Sequence, residues 1–235
     1  MLAAEALRLA AIEVLRPTAA VEAGEGFPTL AGLNVLDSRE IAVQDIDRDK
    51  PYTPILVLHT AEAGVALRGA LSSAEDTAAN AALDIVAELA VVENDKDGEF
   101  ADALAASDPE ARLVLAALCS QVRYLLERSQ AGGLWRRLVR RIVNIEYQPF
   151  EVPNIGMRWQ RITMRFHCEI RDDDFEVEGL PEPMATVYAA LPSQSYAKAK
   201  LASLASHFSR DVLPRLEGVD VDTGDNMPGF KVDFP

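Results

Sequence analysis

Three histidines, two cysteines and two clusters of aspartates are the side chains of this chain best suited to chemistry near neutral pH. Histidine is the side chain that exchanges protons in that range, so His59, His167 and His207 are the first candidates for acid–base work. Each stands alone in its local pattern, and His59 closes the apolar run Pro54 to Thr60, where a hydrogen-bonded strand-end residue is the simpler reading. Asp45, Asp47 and Asp49 have the spacing that opens a calcium loop. Lys50, however, occupies the glycine position of that loop, and Leu56 occupies the position of the closing bidentate glutamate. A second partial match, with Asp95, Asp97 and Gly98, fails at its end, because Leu104 closes the loop if Glu93 opens it. Both clusters read as solvated acidic turns. Cys119 and Cys168 are far apart and lack metal-ligand spacing, so they read as two buried thiols. No phosphate-binding glycine loop, Gly-x-Ser-x-Gly elbow or His-Glu-x-x-His pair occurs. The expectation is a protein that is not an enzyme, with no catalytic residue, cofactor or metal.

Composition narrows the class further. Apolar residues make up 49% of the 235 residues and charged residues 26%, which is enough to build a packed core. No apolar run approaches the roughly 18 to 20 residues that a membrane-spanning helix needs. The alanine-rich start lacks the basic and apolar regions of a secretory signal, so cytoplasmic synthesis and folding are expected. A net charge of −14 argues against sequence-specific nucleic-acid binding, which depends on neutralising phosphates, although an acidic wall suits a conduit through which DNA passes.

The elements that carry these residues can be read from periodicity. Residues 2 to 16 predict an amphipathic helix with Leu7, Ala10, Ala11, Val14 and Leu15 on one face, Glu5, Arg8, Glu13 and Arg16 on another, and Pro17 beyond its end. A glycine-bearing stretch leads through a short apolar piece, Asn34 to Leu36, into a charged loop, Asp37 to Lys50. Pro54 to Thr60 predicts a buried strand. Leu83 to Val92 alternates like a strand although Asp84 and Glu88 lie one helical turn apart; the strand is the reading adopted. An acidic insertion follows at Glu93 to Ala106. Ser107 to Glu110 has the capping-box pattern, with Pro109 as a good early-helix residue, and predicts a helix from about Pro109 to Ser129, closed by Gly132 and Gly133. Gln160 to Arg171 is the clearest strand: Ile162, Met164, Phe166, Cys168 and Ile170 alternate with Arg161, Thr163, Arg165, His167 and Glu169. Val143 to Val152 is its expected hairpin mate across a turn at Pro153 to Gly156. A boundary near residue 175 separates an α+β domain, residues 1–174, from a C-terminal extension, residues 175–235, with one helix from Ser193 to Leu216 and an extended tail.

Trp135 to Val143 is unusual in so acidic a chain. At helical spacing it sets Arg136, Arg137, Arg140 and Arg141 against Trp135, Leu138, Val139 and Ile142. Those arginines either pair with nearby carboxylates or contact an acidic neighbouring subunit. Arg161 and Arg165 join them as candidate subunit-interface residues if helix and hairpin are adjacent; the simpler alternative is cross-strand pairing with acids such as Glu146.

The order of elements, from the N-terminal helix through PILVLHT, LDIVAELAVV and LVLAALCSQVRYLLE to the hairpin with RWQRITMRFHCEI, resembles the tail terminator and tail-completion proteins of long-tailed bacteriophages over about residues 1–172. The resemblance implies an α+β fold with a mostly antiparallel sheet flanked by helices, here with a C-terminal helical extension. It also implies a virion structural protein, assembled in the host cytoplasm, that forms a homo-oligomeric, hexameric ring at the head-proximal end of a tail. The implied partners are other copies of the chain, the tail tube protein and a head–tail connector or neck protein, with DNA passing through the lumen and no membrane. Rival readings are another neck or head-completion connector, a cytoplasmic protein-binding module and, last, an enzyme built from scattered carboxylates.

Overall fold

The computed structural model describes residues 1–67, 77–95, 98–104, 109–152, 157–175, 179–208, 218–221 and 230–233. Two runs expected to be strands are longer than their apolar cores: β2 spans Thr53–Leu67 and β3 spans Thr77–Asp95. They pair antiparallel from Thr53↔Ala90 to Leu67↔Thr77, with one irregularity between Thr60 and Glu62. The predicted C-terminal hairpin is also present, as β5 (Val139–Val152) and β6 (Met157–Ile170). β6 lies against β3, with Leu83 opposite Phe166 and Ile85 opposite Met164. A short parallel strand, β1 (Val35–Asp37), forms the far edge, so the sheet runs β1-β2-β3-β6-β5. The fold is α+β with a mostly antiparallel sheet, as expected.

The acidic segment after Glu93 is part of this sheet. β3 runs to Asp95, and β4 (Gly98–Ala103) returns along it with Asp95 opposite Gly98. β6 stops pairing with β3 at Glu88↔Arg161, and the amide of Gln160 then donates to the carbonyl of Leu104, so β4 takes the place β6 leaves. Asp97, from the second aspartate cluster, lies outside the described residues.

Strand alternation gives the sheet two unlike faces. Leu56, Leu58, Leu83, Ile85, Ala87, Ile162, Met164, Phe166 and Cys168 point into the main core, where the helices cover them. α1 (Leu2–Leu15) lies at the centre of that layer and is buried on more sides than its amphipathic pattern predicts. It meets the sheet on one side and α5 (Met184–Ala190) on another. Alanine at positions 3, 4, 6, 10 and 11 permits this close approach. Its charged residues are consumed internally. Arg8 bonds Glu5 and Asp37, and Glu13 accepts from the Thr18 amide and hydroxyl at 2.8 Å each, capping the next helix, α2 (Thr18–Ala23). Asp173 caps α1 from far along the chain, accepting from the amides of Leu2 at 3.0 Å and Ala3 at 2.6 Å.

α3 (Pro109–Glu127) buries Leu115, Leu118, Cys119, Val122, Leu125 and Leu126 on the same face of the sheet. Ser107 of the capping box lies outside the described residues, as does the turn at Pro153 to Gly156. Gly132 follows α3 because a Cβ there would come within 2.6 Å of the Leu126 carbonyl oxygen.

Past residue 175, α5 precedes the expected helix, which appears as α6 (Tyr196–Ala205) with one further turn, Ser206–Phe208. Residues 209–217 lie outside the described part. Leu180, Met184, Val187, Leu191, Ala197 and Leu201 belong to the same apolar core as the sheet and α1. The terminal stretch forms two paired strands, β7 (Gly218–Val221) and β8 (Phe230–Asp233).

On the opposite face, the charged loop after β1 folds back so that Ile41 and Ile46 join Leu36, Ile55, Val57 and Ala90 in a second, smaller core. That loop roofs the β1 end of the face and leaves the β6–β5 end uncovered.

Candidate functional site

The uncovered part of the polar face is assembled from four strands. β6 supplies Arg161, Thr163, Arg165, His167 and Glu169, and the register places their partners. Arg165 sits between Asp84 of β3 and Glu146 of β5. Its Nε and Nη2 each donate to Asp84 at 2.7 Å, a two-pronged bond that matches the planar guanidinium to the carboxylate. That carboxylate raises the Arg165 pKa above its ordinary value, and the more distant Glu62 and Glu146 act in the same direction. Arg161 pairs with Glu88, whose side chain is 8% exposed, and the guanidinium also lies 5.6 Å from the Phe150 ring centroid. Arg141 bonds Glu169 at 2.5 Å, and His167 Nε2 lies 3.4 Å from Glu146. His59 is in mid-strand rather than at a strand end, opposite Asp84 in the register.

The six candidate arginines therefore separate into two groups. Arg141, Arg161 and Arg165 share this face, each bonded to a carboxylate of a neighbouring strand. The Trp135 to Val143 segment is not a single helix, and this corrects the expected arginine face. α4 spans only Gly133–Leu138, and the chain turns extended at Val139, which pairs with Ile170. The β-branched residues Val139, Ile142 and Val143 favour the strand, while Trp135, fully buried and edge-on to Phe166 at 6.0 Å, fixes the helical turn. Arg136, on α4, donates to the Leu126 carbonyl at 3.0 Å and so ties α4 to the end of α3. Arg137 and Arg140 are exposed and have no ion-pair partner among the described residues.

β5 is a sheet edge, and its ladder is broken in three places, between Val139 and Arg141, Ile142 and Asn144, and Pro149 and Glu151. The first two breaks each leave one extra residue on β5, Arg140 and Val143, and at the third Phe150 stands against residues 159–161 of β6. Bulges of this kind prevent an edge from simply accepting another strand, so contact here goes through side chains. Val143 and Phe150 are both exposed apolar residues.

Neither cysteine is poised as a nucleophile. Burial pushes Cys119 up to about 11 and Cys168 up to about 12, which keeps both as thiols at neutral pH. The aspartates of the first calcium-like cluster hold local bonds instead: Asp47 pairs with Lys50 at 2.8 Å and accepts from the Asp49 amide.

Sequence reasoning missed Asp84 and Glu88 as the arginine partners. The signal was available, because their four-residue spacing equals that of Arg161 and Arg165. Among the described residues, no helix is long and apolar enough to cross a membrane. Comparison with protein-family models, curated proteins and solved structures finds no match.

Proposed function

We propose that this protein is a ring-forming structural subunit of a long-tailed phage, located at the head-proximal end of the tail, where it halts tube growth and offers a docking surface to the head. The observation that carries this reading is the difference between the two edges of the sheet. β1 is three residues long, parallel to its neighbour and bordered by the Ile41–Ile46 loop. β5 is fourteen residues long, bulged, and shows exposed Val143 and Phe150. A closed ring needs two different complementary surfaces on every subunit, and two unlike edges supply them. The resemblance of its element order in sequence to that of tail terminators supports the same reading. The partners are other copies of the chain in a ring, expected to be a hexamer, together with the tail tube and a neck or connector protein.

The function is testable through tube length. Tail tube protein polymerised with increasing amounts of this protein yields shorter tubes of narrower length distribution if the chain terminates growth. An unchanged length distribution at every ratio counts against termination.

A further inference from the structure

An open groove of about 530 Å³ lies between α3 and the β5–β6 hairpin. Arg112, Arg123, Tyr124, Arg128 and Tyr147 line it, with the two tyrosines 61% and 44% exposed. Arg123 is engaged by Glu127 at 2.8 Å, whereas Arg112 and Arg128 have no ion-pair partner among the described residues. The groove belongs to a segregated basic region: residues 109–141 contain seven arginines and only two carboxylates, in a chain of net charge −14. A basic, aromatic groove on an acidic protein selects an occupant that is acidic and has an apolar group to insert.

The chain itself carries such a segment. Beyond Ala90, β3 has lost both β2 and β6 and pairs only with β4, so the β3–β4 hairpin leaves the sheet as a two-stranded ribbon. One face of this ribbon is anchored, since Val92 and Ala101 pack on the second core. The other face carries Glu93 opposite Phe100, and Asp102 two residues further on. Glu93 is exposed and Phe100 is 39% exposed. Glu99 lies on the anchored side, bonded to Arg48.

We infer that the groove between α3 and the β5–β6 hairpin receives the Glu93–Phe100 face of the β3–β4 ribbon from a second copy of the chain. Phe100 enters between Tyr124 and Tyr147, while Glu93 and Asp102 meet Arg112 and Arg128. The contact is heterologous, because groove and ribbon are different surfaces, and it therefore propagates around a ring. This inference rests on the self-assembly reading; it keeps the β5 side as one surface of the contact and gives the other to the β3–β4 ribbon in place of the β1 edge.

Sedimentation of the purified full chain over a concentration series tests it, with circular dichroism confirming that each variant is folded. The wild type associates; Arg112→Glu with Arg128→Glu weakens association by about tenfold or more, as does Phe100→Ala. Adding Glu93→Lys and Asp102→Lys to the groove double variant restores association, and Glu99→Lys alone leaves it unchanged. A wild type that stays monomeric at every concentration overturns both the assembly reading and this contact. Association that survives the groove reversal overturns the contact alone. Loss that the combined swap fails to restore overturns the ribbon as occupant. Binding of a short single-stranded oligonucleotide that the groove reversal abolishes, without change in self-association, reassigns the groove to nucleic acid and also overturns the inference.

Discussion

Replacing Arg161 by methionine removes the partner of the most deeply buried carboxylate on the polar face. Glu88 is 6% exposed, while the Arg161 side chain is 34% exposed, so the pair is sealed on one side and reached by water on the other. Breaking a fully buried pair costs about 3 to 5 kcal/mol, because the remaining charge is stranded. Partial access of water to the arginine side lowers the expected cost to about 2 kcal/mol, with loss of the Phe150 contact contributing roughly 0.5 kcal/mol of that. For a chain of this size each kcal/mol moves Tm by about 2 to 4 °C, so Arg161→Met is expected to melt about 4 to 8 °C below wild type. Methionine keeps the apolar stem, which isolates the charge effect from packing. Adding Glu88→Gln removes the stranded charge and should recover at least half of the loss, giving a coupling of about 1 kcal/mol or more in the double-mutant cycle. Arg141→Met, at a pair exposed on both sides, is the control and should shift stability by less than about 1 kcal/mol. Thermal and urea denaturation followed by circular dichroism measure all five proteins: wild type, Arg161→Met, Glu88→Gln, the double variant and Arg141→Met. An Arg161→Met variant that melts with wild type, or a double variant whose loss equals the sum of its singles, would refute the argument.

Three other perturbations follow from the same structure. Cys119 and Cys168 are held as thiols by burial, with folded values of about 11 and 12 against an ordinary 9.0; both should resist alkylation at pH 8 until denaturant is added. Their raised values also mean that this share of stability is complete below pH 9 and is lost as pH climbs through 11 and 12, which a series of melts at alkaline pH would show. Asp173→Ala removes the carboxylate that accepts from the first amides of α1 and should cost about 1 to 2 kcal/mol in chemical denaturation; a loss below about 0.3 kcal/mol contradicts the capping role. Truncation after residue 175 removes Leu180, Met184, Val187, Leu191, Ala197 and Leu201 from the main core. At roughly 1.5 to 3 kcal/mol for each large side chain, this loss rivals the whole stability of a domain, so the truncated chain should show no cooperative melt.

Much of this fold was legible because alternation and helix punctuation act locally. Residues 160–171 announced β6 through strict period-two alternation, and Gly132 marked the end of α3 because no side chain fits against the Leu126 carbonyl. What failed were inferences that depended on neighbours distant in sequence. The amphipathic pattern of α1 did not disclose that α5, some 180 residues later, would cover another of its sides. The acidic run after Glu93 looked like an inserted turn because exposed ribbon strands lack the apolar alternation of a half-buried strand. The arginine segment read as helical because arginine and leucine fit a helix well; the register of Val139 with Ile170 decided otherwise.

The polar face holds a more general lesson. Asp84 and Glu88 are four residues apart, a spacing of about one helical turn that is equally two periods of a strand. Arg161 and Arg165 repeat that spacing with opposite charge, and antiparallel pairing then sets Glu88 against Arg161 and Asp84 against Arg165 in a single register. A one-residue slip would break both pairs and turn the apolar set of β6 outward, so charge and hydrophobicity specify the same alignment. The groove beneath α3 left no comparable trace, since it arises where the helix and the hairpin diverge.

The proposed role is tested most directly by electron microscopy of the purified protein mixed with phage tail tubes. Closed rings and added density confined to one end of each tube are expected; tubes with two bare ends, and no ring at any protein concentration, would rule that role out.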